Sequence, residues 1–168
     1  MIGFLGLGTT LAFLDLAVKN QIEAQEPGEF PRELAGTKGK IKLYRNHNAG
    51  FSFGVLKDNR ELVETVQLSA LSAAAGAWAW MQGKRGNLLE KLAFTLFLAG
   101  GASNFYDRKK RGYVVDYFSI QWKKLKKVVF NLGDIFIFAG SALFAAVQLV
   151  EEIRGILSKE KIFLKEEE

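Results

Sequence analysis

Four apolar stretches with almost no charge constrain this chain more than any other feature. Residues 1–18 carry only Asp15, near their end, and residues 62–81 only Glu64, near their start. Residues 88–106 hold Glu90 and Lys91 at the start and no charge after them, and residues 128–150 hold only Asp134. A helix needs about 20 residues to cross a hydrocarbon core of about 30 Å, and each stretch has about that length. A soluble helix this long shows a polar face with charge at every turn, which these stretches lack. A soluble four-helix bundle is the competing reading, kept open by residues 68–77, which are small rather than greasy. Small residues also let membrane helices approach closely, and Trp78 and Trp80 suit an interfacial aromatic belt. The first stretch lacks the basic n-region and small-x-small cleavage site of a secretory signal, so it reads as a retained span. The expectation is an all-α membrane protein with four transmembrane helices, in a single domain over residues 1–168.

Four spans place both termini on one side. Residues 19–61 and 107–127 then share the opposite side, the 82–87 turn lies with the termini, and residues 151–168 form a charged tail. Within the first polar segment, residues 40–56 alternate around Asn48-Ala49-Gly50 and read as two short strands about a turn. Lys and Arg number fifteen in residues 20–61 and 107–127, opposite the termini, and seven on the terminal side, counting the turn through Lys91 and the tail. By the positive-inside rule alone, the termini lie outside.

Composition narrows the chemistry. The chain has no cysteine and one histidine, His47, which removes disulfide scaffolds, thiolate zinc sites, cysteine nucleophiles and multi-histidine metal sites. At 49% hydrophobic residues and a net charge of +5, it lies outside the disordered class. A mean hydropathy of +0.05 conceals the membrane character, because it averages four spans with long polar segments.

What remains is carboxylates at the ends of spans, where ionisable groups are expensive and mark function by default. Asp15 and Lys19 sit one turn apart on one helix face, either as a snorkelling pair that fixes the helix end or as part of a site. Asn104, Asp107 and Arg108 share a face at the end of the third stretch, after Gly100 and Gly101, which permit close backbone approach. Asp116 stands in the apolar run Tyr113-Val114-Val115-Asp116-Tyr117-Phe118, and Asn131 and Asp134 open the fourth stretch. Topology brings Asp107, Asp116 and Asp134 to one membrane surface, near Asp15, Lys19 and the Asn48 loop. Two carboxylates at close range in a partly apolar site share a proton, so one acts as base on a water and the other as acid. A Ser–Lys dyad is less favoured, since Ser103 has no lysine within a turn of it in sequence.

These residues fall into four motifs: Asp15-x-x-x-Lys19; Asn48-Ala49-Gly50-Phe51-Ser52-Phe53; Asn104-x-x-Asp107-Arg108 followed by Gly112-x-Val114-Val115-Asp116; and Phe130-Asn131-x-x-Asp134. In that order, each at the end of a span, they resemble the lipoprotein signal peptidase (signal peptidase II) family of four-span bacterial membrane aspartyl proteases. The resemblance runs from about Asp15 to Gly140. It implies that Asp116 and Asp134 are a catalytic dyad. It further implies that Asn48, Gly50, Asn104, Asp107, Arg108 and Asn131 shape or support the site, braced by Asp15 and Lys19, with Gly100 among the supporting positions. The implied substrate is a diacylglyceryl-modified prolipoprotein, cut just before its lipidated cysteine at the outer face of the bacterial cytoplasmic membrane. Segment 20–61 is similar to the family's extracytoplasmic β-rich cradle, and the family topology puts both termini in the cytoplasm, against the Lys/Arg count. The expected partners are this substrate and membrane lipid, with no nucleic acid, metal or cofactor, and the expected state is a monomer. A non-catalytic relative that binds lipoproteins or lipid, and a small membrane transporter, are the alternatives. Three positions depart from the family pattern: Phe51-Ser52 where small residues are usual, Ser103 in place of glycine, and Gly133 in place of alanine.

Overall fold

The computed structural model describes residues 2–51, 55–56 and 58–166, with the side chains of 159–166 left aside. Ser52 and Phe53 of the Asn48 motif lie outside the described residues. Four long helices, α1 (Ile2–Glu23), α2 (Arg60–Gln82), α3 (Leu88–Arg111) and α4 (Leu132–Glu166), pack beside a small sheet of β1 (Arg32–Glu33), β2 (Ile41–Asn48) and β3 (Val114–Ile120). α3 is the central helix, with α1, α2 and α4 all packed against it.

Burial runs opposite to that of a soluble bundle. The largest fully buried side chains include Lys19, Asn131, Asp15, Asp107 and Ser103, while Phe13, Leu14, Trp80, Phe138 and Leu149 are exposed. An apolar exterior of this extent demands an apolar solvent. Two helices combine the length and hydropathy needed to cross a membrane, α1 and the Leu132–Ser158 part of α4. α2 and α3 have comparable lengths but miss that hydropathy. α2 is built of alanine, glycine and serine, and α3 carries buried Glu90, Lys91, Asp107 and Arg108.

The helices overrun the apolar stretches. α1 continues to Glu23, so Lys19 is a helical residue, and α3 continues to Arg111. There Gly112 adopts a left-handed φ of 87° and returns its N–H to the Arg108 carbonyl at 3.0 Å, the glycine C-cap geometry. α4 begins later than its apolar stretch. Phe130 pairs with Phe118 as an extended bridge, and the helix starts at Leu132.

The expected strand pair within 40–56 is corrected. Residues 41–48 form one strand, which pairs antiparallel with the nearby β1 on one side and the distant β3 on the other. Among the described residues of 49–59 there is no strand. β3, buried along most of its length, supplies the longer of the two ladders. Between Leu43↔Phe118 and Asn46↔Asp116 the register slips by one residue. Such a bulge bends a strand and re-aims its side chains, and here Tyr44 and Arg45 together oppose Tyr117, next to the Asn46↔Asp116 pair.

Glycines set the α3–α4 distance. A Cβ at Gly100 would collide with the Gly133 carbonyl, and one at Gly140 would sit 2.9 Å from the Phe97 nitrogen. We expect Gly100→Ala to lower stability by about 1–3 kcal/mol through overpacking, read as thermal unfolding in detergent. Gly76→Ala, with nothing within 4 Å of its added carbon, is the control and should be neutral or slightly stabilising.

Candidate active site

The site is assembled around a buried ammonium. Lys19 Nζ lies 2.8 Å from Asp15 Oδ2 and 3.4 Å from Asp107 Oδ2, and all three side chains are 0% exposed. It also donates to Asn104 Oδ1 at 2.6 Å and to Ser103 Oγ at 3.1 Å. The snorkelling reading of Asp15 and Lys19 is thereby corrected, since neither reaches solvent. α1 is tied to α3 through three of these partners, Ser103, Asn104 and Asp107.

Each partner passes the constraint outward. Ser103 Oγ donates to Asp15 Oδ2 at 2.6 Å, and the Tyr117 hydroxyl donates to Asp15 Oδ1 at 3.0 Å. That same hydroxyl accepts from the Leu132 N–H at 2.9 Å. Burial and the neighbouring Asp15 carboxylate push the Tyr117 phenol up, so it keeps the proton this bridge requires. Asp107 accepts from Arg111 and from the Val115 N–H at 3.1 Å, which locks the start of β3 and therefore the placement of Asp116 one residue on.

Asp134 is positioned by a reciprocal cap. Asn131 Oδ1 accepts from the Asp134 N–H at 2.8 Å, and Asp134 Oδ2 accepts from the Asn131 N–H at 3.2 Å. This is a capping box at the start of α4. Asp134 Oδ1 accepts from Asn104 Nδ2 at 2.9 Å, linking it to the Lys19 cluster. Asn131 reaches the other way as well, donating its Nδ2 to Asp116 Oδ1 at 2.7 Å. One asparagine therefore holds both carboxylates.

Asp116 and Asp134 line one cavity of about 240 Å³ with Asn48, Phe51, Asn104 and Arg108. Asp116 is 3% exposed. Burial, then the negative Asp134, push its carboxyl up to about 7, against the pull of Asn131 and Asn48. Asn48 turns the chain by accepting from the Gly50 N–H at 3.0 Å, and the Gly50 carbonyl accepts from Arg108 Nη2. Arg108 Nη1 donates to Gln67 Oε1 at 3.0 Å, and its guanidinium lies 5.7 Å from the Phe51 ring centre. Gly50 is thus a carbonyl anchor rather than a lining group. Asp107 belongs to the Lys19 cluster, not to the cavity. Among the described residues no three His, Asp or Glu side chains gather as metal ligands.

Four residues were not singled out by sequence reasoning as parts of the site: Tyr117, Gln67, Gly133 and Ser103. Ser103 does have a lysine partner, Lys19, brought from 84 residues away. That does not make a nucleophilic dyad, because Lys19 is ion-paired twice and Ser103 gives its proton to Asp15. A Cβ on Gly133 would fall 2.8 Å from Asp15 Oδ2 and 3.0 Å from Asn131 Oδ1. Its lack of a side chain is what lets the two polar clusters touch. A polar residue facing inward from an apolar helix was the available signal for Ser103 and Gln67. Tyr117 gave none, since it looks like any strand aromatic.

A polar interior inside an apolar surface, with a carboxylate-lined cleft where helices meet a sheet, is the build of a membrane enzyme. The sequence profile of the Signal peptidase (SPase) II family matches residues 7–150, and the chain belongs to this family of peptidases. It is 30% identical over 143 residues to the lipoprotein signal peptidase of Streptococcus pneumoniae, covering 84% of this chain and 89% of that protein. To the lipoprotein signal peptidase of Mesorhizobium japonicum it is 26% identical over 137 residues, covering 82% and 79%. Two solved structures share the fold, both described as bacterial membrane enzymes obtained by the in meso method. One has a TM-score of 0.75 at 20% identity over 90% of each chain, and the other 0.71 at 21% identity over 89% of this chain and 94% of that one.

Removing the central cation tests this arrangement. Lys19→Met leaves Asp15 buried without a counter-charge and Asp107 with Arg111 alone, which costs about 3–5 kcal/mol. Denaturant unfolding in detergent should show that loss, and a change under about 1 kcal/mol would contradict the role given to Lys19.

Proposed function

We propose that this protein is an aspartyl endopeptidase that removes the signal peptide from diacylglyceryl-modified prolipoproteins, cutting before the lipidated cysteine. The observation that carries the reading is the pair Asp116 and Asp134, held by one asparagine in one cleft. The relatives' name, lipoprotein signal peptidase, supplies the substrate class.

The hydrogen bonds separate the two roles. Asp134 accepts on both oxygens, from Asn104 on one and from the Asn131 N–H on the other, at the positive end of α4. It is the ionised member and takes a proton from the attacking water. Asp116, pushed up to about 7, is the protonated member and gives its proton to the carbonyl oxygen. As the tetrahedral diol collapses, Asp134 passes the proton it took from water to the leaving nitrogen and Asp116 takes back the diol proton, which resets the pair. Asn48, Gly50, Asn104, Arg108 and Asn131 hold this cleft, and Asp15, Lys19, Asp107 and Gly100 hold the elements that carry it.

In this reading all four helices span the bacterial cytoplasmic membrane. The cleft and the sheet lie at its extracytoplasmic face, both termini are cytoplasmic, and the protein acts as a monomer. α2 and α3 fit a bilayer despite modest hydropathy, because α3 keeps its polar groups inside the bundle and the exposed face of α2 after Glu61 carries small and apolar residues without charge.

Asp116→Asn and Asp134→Asn should each abolish cleavage of a diacylglyceryl-modified precursor while leaving circular dichroism in detergent unchanged. Cleavage retained in both variants would refute the dyad. The pH dependence has a definite sign. The native state keeps the Asp116 proton up to about pH 7, whereas an unfolded aspartate releases it near 3.8. The native protein therefore binds more protons across that window, and this contribution to stability declines as pH rises from about 4 to about 7. Cleavage should fall about ten-fold per pH unit above about pH 7, as Asp116 loses its proton, and should also fall in acid, as Asp134 gains one.

A further inference from the structure

Between the end of β3 and the start of α4 the chain makes a short turn unlike any other part of the molecule. Trp122 is 60% exposed, and a five-residue 3-10 helix, Lys123–Lys127, follows it. Lys123, Lys124, Lys126 and Lys127 are all exposed, and only Leu125 is drawn in. No aspartate or glutamate occurs between Asp116 and Asp134. Among the described residues, no ion pair involves any of these four lysines. Lys123 instead holds its ammonium 5.0 Å from the Trp122 ring centre, with a left-handed φ of 46°. Lys40, also exposed, adds to the patch, since its carbonyl accepts from the Gln121 N–H at 2.8 Å.

The position of this turn selects its partner. Four residues separate Lys127 from Leu132, the first residue of the apolar helix α4, at most about 17 Å of extended chain. The aromatic rings of Phe118, Phe130 and Phe138 run from the sheet down that helix, with centroids 6.1 and 6.5 Å apart, and Phe138 is half exposed. Val128, Val129 and Phe130, which follow the turn, line the cavity that holds Asp116 and Asp134. A tryptophan with four free lysines, at the depth where a helix enters hydrocarbon, has the chemistry of the headgroup layer. Uncompensated positive charge there is complementary to anionic lipid.

We propose that residues 122–127 dock on anionic phospholipid headgroups and so seat the sheet, and the mouth of the cleft, on the bilayer surface. This rests on the four-span reading given above. It also accounts for the basic bias of the extracytoplasmic side, which opposes the positive-inside rule. The lysines serve lipid contact at the cleft rather than orientation during insertion.

The absence of cysteine makes a direct test clean. Full-length Gln121→Cys protein, labelled with a bimane fluorophore, is placed in vesicles of equal parts phosphatidylglycerol and phosphatidylcholine, with brominated chains on one lipid or the other. Quenching should report local enrichment of phosphatidylglycerol by about five-fold or more. The preference should collapse between about 0.1 M and about 1 M salt, as the Debye length shrinks from about 10 Å to about 3 Å. Combining Lys123→Gln, Lys124→Gln, Lys126→Gln and Lys127→Gln should bring the ratio to about one while leaving cleavage in neutral detergent unchanged. An undiminished preference in that variant, or no preference in the parent, overturns the proposal. Absence of cleavage in both proteins with the lipid preference intact would instead overturn the peptidase reading.

Discussion

The Lys19 ammonium is the interaction on which the rest depends. A charge with no solvent access holds its place only if opposite charges and hydrogen-bond acceptors surround it, and here Asp15, Asp107, Ser103 and Asn104 do so. The arrangement is close to neutral, because Arg111 offsets the second carboxylate from the other side of Asp107. Two groups that brace Lys19 also place the cleft. Asp107 fixes the β3 backbone next to Asp116, and Asn104 binds Asp134. The proposed catalytic pair is thus positioned from a cluster that never contacts the cavity through its own charge.

A second constraint is steric. α3 and α4 approach so closely at Gly100 and Gly133 that neither position accepts a side chain without displacement. That approach lets Asn104 on one helix reach Asp134 on the other. The capping box at Asn131 then fixes the first turn of α4, and the second amide hydrogen of the same asparagine spans to Asp116. Packing and capping, usually devices of stability, here set the separation of two carboxylates. Burying one of them beside the other raises its proton affinity into the range where acid catalysis at neutral pH works.

Membrane solvent explains why the molecule is built inside out, and why its sequence misleads in particular places. Hydropathy marks α1 and α4 plainly, because each turns much of its surface outward. It understates α3, whose neighbours on three sides let it carry charge inward. Residues 40–56 suggested a hairpin because alternation and a turn are local signals. The longer ladder of β2 is with β3, some seventy residues away, and a partner at that distance leaves no local trace. Ser103 was set aside as lacking a lysine for the same reason, since its lysine is on another helix.

What the sequence determined by itself was the set of groups and their local geometry. Apolar stretches of bilayer length, Asp15 and Lys19 one turn apart, the shared face of Asn104, Asp107 and Arg108, and the Asn131–Asp134 spacing all follow from helical periodicity. Periodicity is a property of adjacent residues. Only the tertiary structure decided that Asp107 serves the lysine rather than the cleft, that Tyr117 and Ser103 complete the buried network, and that the Asp107–Val115 bond and two glycines bring Asp116 and Asp134 to one asparagine. Those outcomes depend on how far apart two elements settle and in which register. These distances arise from packing between residues up to a hundred positions apart, where sequence spacing carries no geometric information.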